Sequence, residues 1–321
     1  MARITRRRFL TRSASAVTAT AAATTFGGGL SAVLLGGCGE QLRAPDVAAL
    51  FNPDRVLAAG RPQRIPFALI NPGGEGGVAL PSTDDALVTV ELIRDGEILD
   101  RIEVAGHVVS HDHVGEVGDH QHSDLYRYYP ARFTMPEPGI YDLMISVDSG
   151  FGNPTSTSLP VQAFDPADIT VPLPGDPMPA VATPTFADPA GVDRLCTRPD
   201  PCPFHEDSFD TLMTNGRPSA LLVATPAFCS TAYCGPVVDT MIEASAAVDG
   251  VDIVHAEVYA NTDEVDGNFA DPAIRLAPAV IAARLTFEPV LFLVSSDGVL
   301  VDRIDNVFDV DEAIDALSAL A

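Results

Sequence analysis

The hydrophobic pattern divides the chain into stretches of different rhythm. From Arg64 to Phe164 apolar and polar positions alternate over short spans. Leu87-Val88-Thr89-Val90-Glu91-Leu92-Ile93 is rich in β-branched residues, and Asp95-Gly96 turns it toward Ile98 to Val104. An Asp-Gly pair between two such runs signals a hairpin, because both residues accept the positive φ of a tight turn. Arg132 to Met135, Tyr141 to Val147 and Leu159 to Phe164 continue the pattern, with Pro136 and Pro138-Gly139 as breaks. About six short strands without a helical period predict an all-β sandwich over residues 61–165.

Seven prolines follow between Pro166 and Pro189, a density that predicts an extended, semi-rigid linker over 166–190. From 191 to 321 strand and helix alternate. Ser208 to Thr214 reads as a short helix, Ala220 to Ala224 as a buried strand, and Gly235 to Val248 as a helix with Val237, Val238, Met241 and Ile242 on its apolar face. Val251 to Tyr259 is a second strand, and Pro272 to Leu285 a helix interrupted by Pro278. Val290 to Val294 and Val299 to Ile304 form a hairpin across Ser296-Asp297-Gly298, and Asp309 to Leu320 closes as an amphipathic helix. The order β-α-β-α-β-β-α fits an α/β domain built on a mixed sheet. The strand-rich block resembles immunoglobulin-like exported modules in outline, without their Cys…Trp…Cys signature, since the chain has no Trp.

Charge narrows the function classes. There are 19 basic residues against 44 acidic ones, and Arg supplies every basic residue. A surface this acidic repels phosphate backbones and anionic headgroups, which excludes nucleic acid as a partner. The N-terminus departs from that balance: Arg6-Arg7-Arg8-Phe9-Leu10 resembles a twin-arginine export signal, and a weakly apolar Ala/Thr/Gly run leads to Leu34-Leu35-Gly36-Gly37-Cys38. That ending resembles a lipobox, in which the Cys becomes lipidated after cleavage. Residues 1–37 are then a signal peptide, 38–60 a tether, and the mature protein is held by acyl chains on the outer face of the cytoplasmic membrane.

Export changes the meaning of the remaining cysteines. Cys196, Cys202, Cys229 and Cys234 are even in number, which in an oxidising compartment favours disulfides. Between the first strand of the α/β block and its helix lies Cys229-Ser230-Thr231-Ala232-Tyr233-Cys234-Gly235-Pro236. A thiol at a helix N-terminus is expected to ionise easily, because unsatisfied N–H groups and the positive dipole end face it. Pro236 suits the helix start, where its missing N–H costs nothing.

Strand, Tyr-Cys-Gly-Pro, helix, then strand, helix and an apolar hairpin entered through Glu288-Pro289 resemble the thioredoxin fold over 191–321. The resemblance implies that Cys234 is the attacking cysteine, Tyr233 borders the site, Gly235-Pro236 set the helix start, and Pro289 is a cis proline facing the thiols. It also marks two departures. Val237 occupies the usual place of the second thiol, so the resolving role falls to Cys229 in a C-x4-C pair, and the preceding strand lacks the buried carboxylate of thioredoxins. The implied activity is thiol-disulfide exchange on exported proteins, requiring no cofactor. A rival is copper handling like that of Sco-type metallochaperones, with His255 as an added ligand; another is an inactive module whose 229–234 bridge staples a loop.

Two further groups carry candidate chemistry. Cys196 and Cys202 suggest a structural disulfide ahead of His205; the alternative of zinc on all four cysteines lacks the usual two-to-four residue ligand spacing. His107, His111, His113, His120 and His122 crowd one loop with Asp112, Glu116, Asp119 and Asp124. His-x-His pairs in an extended chain share a face, so this loop is a candidate copper or zinc site, or simply a solvated polar hairpin.

Overall fold

A computed structural model describes residues 44–52, 54–70, 87–109, 126–148, 154–229, 233–265 and 271–321. The export signal, Cys38, His111, His113, His120 and His122 lie outside the described residues. The fold is mostly β-sheet, with three four-stranded sheets and few helices. Among the described residues no helix is long and apolar enough to cross a membrane.

The first strands are β1 (Asp46–Ala49), β2 (Pro62–Ile70), β3 (Leu87–Arg94), β4 (Glu97–Val104), β5 (His107–Val109), β6 (Tyr126–Thr134), β7 (Gly139–Asp148) and β8 (Thr155–Ala163). They form two antiparallel sheets of order β1-β2-β6-β5 and β4-β3-β7-β8. The expected β3–β4 hairpin is present, with Asp95 at φ 53° and Gly96 at φ 81°. Alternation decides which side chains go inward: Val88, Val90 and Leu92 of β3 are fully buried, as are Leu143 and Ile145 of β7. Ile65 and Phe67 of β2 belong to the same core.

The third sheet comes from β9 (Ser219–Val223), β10 (Asp252–Ala256), β11 (Val290–Val294) and β12 (Leu300–Asp305), in the order β10-β9-β11-β12. β9 and β10 run parallel, whereas β11 is antiparallel to both β9 and β12. Among the described residues four α-helices accompany them: α1 (Phe209–Leu212), α2 (Cys234–Ser245), α3 (Pro278–Ala282) and α4 (Val310–Leu320). The helix expected over Pro272 to Leu285 is only α3, which starts at Pro278. Proline cannot donate to the preceding turn, so it opens this helix instead of interrupting a longer one.

Both central strands are buried along their whole length and serve two cores by turns. Ala220, Leu222, Leu291 and Leu293 face Val238 and Met241 of α2 and Leu317 of α4. Leu221, Val223, Phe292 and Val294 face the other way, into the core that also holds Phe67, Leu92 and Leu143. The proline-rich segment does not stand clear of this packing. Val171, Leu173 and Met178 are buried, and the Met178 N–H donates to the Gly298 carbonyl.

A buried polar network fastens the first sheet to the end of the chain. Arg64 on β2 donates through Nε to Glu312 Oε1 at 2.6 Å and through Nη2 to Oε2 at 2.7 Å. It also reaches the carbonyls of Asp305 and Val307, while the Tyr128 hydroxyl donates to Glu312 Oε2. Burial alone would disfavour the charged carboxyl, but Arg64 and the hydrogen bonds hold Glu312 below its ordinary pKa.

Candidate functional site

The chain leaves β9 at Val223, runs through fully buried Thr225, and turns at Phe228, whose N–H donates to the Thr225 carbonyl. Cys229 follows. Residues 230–232 lie outside the description, and Tyr233 is the N-cap of α2. Cys234, Gly235 and Pro236 make the first turn, and the Val237 N–H closes it on the Tyr233 carbonyl. The motif thus stands at a helix start, where backbone donors are unsatisfied by the helix itself.

One of those donors has a sulfur partner. The Cys234 N–H points at Cys229 Sγ, 3.3 Å away. Cys229 is half-buried, whereas Cys234 is completely buried. The expected easy ionisation of Cys234 is therefore reversed: desolvation pushes its thiol well above the ordinary value, and Cys229 and Glu288 push in the same direction. The favourable end of the helix serves Cys229.

Across from the two sulfurs stands the turn into β11. The Glu288–Pro289 bond is cis, as the resemblance implied for Pro289. Glu288 is buried, and a carboxylate oxygen lies within 4.8 Å of both sulfurs. A buried carboxylate is therefore present beside the two sulfurs, delivered from the turn that precedes β11. Tyr259 closes the group from another side; burial, then Glu288 and the two cysteines, raise its phenol pKa. Its ring meets Phe228 edge-on at 6.3 Å.

Cys196 and Cys202, expected to form a disulfide, are not joined in this structure, where all four described cysteines are free. Cys196 and Cys202 face two imidazoles instead. Cys202 Sγ lies 3.2 Å from His205 Nε2 and 3.4 Å from His255 Nδ1, and the two nitrogens are 3.3 Å apart. Hydrogen bonding from Cys202 lowers the Cys196 pKa despite desolvation, and the Cys202 pKa is raised in return. His255 is thus removed from the copper set proposed for Cys229 and Cys234; the third candidate ligand there is Glu288.

The two sulfur groups are joined through Thr197. Its N–H donates to Glu257 Oε1 at 2.6 Å, and its hydroxyl accepts from the Ala227 N–H at 3.0 Å. Arg198 adds an ion pair to Asp239 on α2. Loop, strand β10 and dithiol turn are therefore held in one polar frame.

His107, the one described member of the histidine loop, makes a different bond from the one expected. Its Nδ1 lies 2.8 Å from Asp309 Oδ1, and Asp309 caps α4 by accepting the Glu312 N–H. The hydrogen bond with Asp309 raises the His107 pKa above 6.5.

Glu288, Tyr259 and His205 are site residues that sequence reasoning passed over. Glu288 had a signal, since the residue before an expected cis proline must border the thiols. No protein-family model matches the chain, and no curated protein matches it. Among solved structures, a conjugative transposon lipoprotein from Bacteroides eggerthii is similar over 36% of this chain and 92% of its own, at 13% identity and a TM-score of 0.17. A likeness at that level carries no argument about fold or activity.

Proposed function

We propose that this protein is a lipid-anchored thiol-disulfide oxidoreductase of the bacterial cell envelope, built from an immunoglobulin-like sandwich and a thioredoxin-like domain. The sandwich reading is supported by the sheet orders β1-β2-β6-β5 and β4-β3-β7-β8. The thioredoxin-like reading is supported by the order β10-β9-β11-β12 with α2 after β9, and by the cis proline opposite the helix start. Anchoring at the outer face of the cytoplasmic membrane rests on Arg6-Arg7 and on the lipobox-like run ending at Cys38.

The observation that carries the activity is the hydrogen bond from the Cys234 N–H to Cys229 Sγ. A thiolate needs donors and access, and Cys229 has both, so the roles first assigned to the pair are exchanged. The Cys229 thiolate attacks one sulfur of a partner disulfide, the S–S bond breaks, and one partner thiolate leaves. Cys234 then gives its proton to Glu288 and attacks the Cys229 sulfur of the mixed disulfide. The second partner thiolate leaves and takes up a proton, the partner has gained two electrons, and the protein holds a Cys229–Cys234 disulfide. Each step is reversible, and the partner's potential sets the direction.

Single-cysteine variants test these roles on a reduced chain mixed with a disulfide-bonded exported protein, quenched by alkylation. Cys234→Ser accumulates a mixed disulfide at Cys229, while Cys229→Ser accumulates none. An adduct at Cys234 in the second variant would overturn the assignment, and none in either variant would overturn the exchange reading. Copper on Cys229, Cys234 and Glu288 is the second reading, favoured by ligand atoms that all lie within 4.8 Å of one another. Stoichiometric copper lost on Cys229→Ser would establish it.

A further inference from the structure

We propose that Cys196, Cys202, His205 and His255 bind a single zinc ion in a closed tetrahedral site. All four residues are buried, and their ligand atoms lie within 4.8 Å of one another. Zinc bonds of about 2.3 Å to sulfur and about 2.05 Å to nitrogen give tetrahedral edges of about 3.4 Å between two nitrogens and about 3.5 Å between nitrogen and sulfur. The observed edges are 3.3 Å for nitrogen to nitrogen, with 3.2 and 3.4 Å for nitrogen to sulfur. The nitrogen–nitrogen edge and the edge from Cys202 to His255 match to about 0.1 Å, and the edge from Cys202 to His205 is about 0.3 Å short, a gap that drawing both ligands onto one ion would set.

Proton accounting favours one shared centre over separate hydrogen bonds. His255 Nε2 lies 3.1 Å from the Ala224 carbonyl, which can only accept, so Nε2 carries the proton. The Nδ1 lone pair of a neutral ring then points at Cys202 and His205. This is the orientation a carbonyl partner imposes on a metal-bound imidazole. Three atoms in a near-equilateral triangle cannot each direct a linear hydrogen bond at the others, but their lone pairs converge on a point between them. Cys196 supplies the fourth direction, and its sulfur accepts the Cys202 N–H at 3.5 Å.

Charge and redox chemistry select the ion. Two thiolates and two neutral imidazoles around a divalent cation sum to zero, the tolerable total for a fully buried cluster. Mixed sulfur and nitrogen donors in tetrahedral array suit zinc, which has no redox chemistry of its own. The five residues between Cys196 and Cys202 exceed the usual ligand spacing, but Pro199 and Pro201 stiffen the loop that returns Cys202. The role that follows is structural. Thr197, inside this loop, holds the Ala227 N–H, so the ion anchors the turn that leads to Cys229.

The full chain, purified without a polyhistidine tag or added metal, tests the proposal by elemental analysis. About one zinc per chain is expected after desalting. The Cys229→Ser/Cys234→Ser double variant should retain it, and His255→Ala should lose more than nine-tenths of it. Should His255→Ala fail to fold, the wild-type chain still decides: Cys196 and Cys202 must resist alkylation until a chelator is added. Cobalt exchanged into the site should give the visible bands and thiolate charge transfer of a tetrahedral centre. A Cys196–Cys202 disulfide in freshly alkylated protein without zinc, or copper in zinc's place, would overturn it. Because the double variant removes the proposed redox pair, loss of exchange with zinc retained separates failure of one reading from failure of the other.

Discussion

The two thiol pairs occupy the same apolar layer of one sheet, yet their neighbours give them opposite chemistry. Cys196, Cys202 and Cys234 are buried there, with Cys229 packed at the margin. Around Cys229 and Cys234 stand a helix start, a carboxylate and a path to solvent, which together favour proton and electron exchange. Around Cys196 and Cys202 stand two buried imidazoles, which favours a structural metal centre. Cysteine spacing assigns neither role. What surrounds each sulfur is the ground for both proposals.

The largest expected effect separates the pairs by stability. Cys202→Ala removes a ligand from a site whose binding energy is part of the folding energy, so we expect a loss of at least about 3 kcal/mol and release of the metal. Cys234→Ala leaves a small cavity in a packed layer and should cost about 1–2 kcal/mol with metal intact. Urea titrations with elemental analysis of both variants check this, and equal losses would erase the distinction between the two sites.

Next comes Glu288, the carboxylate beside Cys229 and Cys234. Glu288→Gln preserves shape but removes the acceptor for the Cys234 proton, so closure of the mixed disulfide should slow by about 100-fold. Attack by Cys229 should be nearly unaffected, and resolution in the variant should become first order in hydroxide. Rapid-quench kinetics of the two steps across a pH range separate this from a packing defect, which would slow both steps or lower Tm. Zinc content should not change.

Much of this arrangement was legible in the sequence where it depends on neighbouring residues. Asp95-Gly96 specified its hairpin, and the amphipathic run from Asp309 to Leu320 predicted α4. The helix start at Cys234 followed from Gly235-Pro236. What stayed hidden depends on residues far apart. His205 and His255 meet because the parallel pairing of β10 on β9 sets His255 beside Leu222, while the 196–205 loop folds back across them. Arg64 finds Glu312 across 248 positions, which no local pattern records. The inversion of Cys229 and Cys234 was hidden for a subtler reason. A helix dipole is readable from spacing, whereas the desolvation that outweighs it at Cys234 depends on what Val237, Leu222 and Ile304 pack against.

A smaller effect should come from the link between the sites. Thr197→Val keeps the backbone bond to Glu257 but leaves the Ala227 N–H without its acceptor. We expect a loss of about 1–2 kcal/mol. If the metal loop positions the dithiol turn, the attack step should also slow by about 3- to 10-fold, the converse of the Glu288→Gln pattern. Single-turnover rates with zinc still bound would measure this coupling; an unchanged attack rate would mean that the sites merely share a layer.

The smallest effect uses an imidazole outside both sites. His107 pairs with Asp309, and its pKa is raised in the folded protein by that hydrogen bond. A raised imidazole pKa stabilises the fold fully below the unfolded value of 6.5, and that contribution disappears as pH rises through the higher folded value. Partial exposure limits its size to no more than about 1 kcal/mol. Wild-type stability should therefore decline slightly as pH rises above about 6.5 and through the higher folded value, and His107→Asn should remove this decline. His205 and His255 must be neutral to bind metal, so zinc content should be the same in His107→Asn as in wild type. Calorimetry at several pH values, with zinc measured on the same samples, tests both parts. Loss of zinc with His107→Asn would move the metal to the histidine loop and dissolve the contrast between a closed metal centre and an open dithiol.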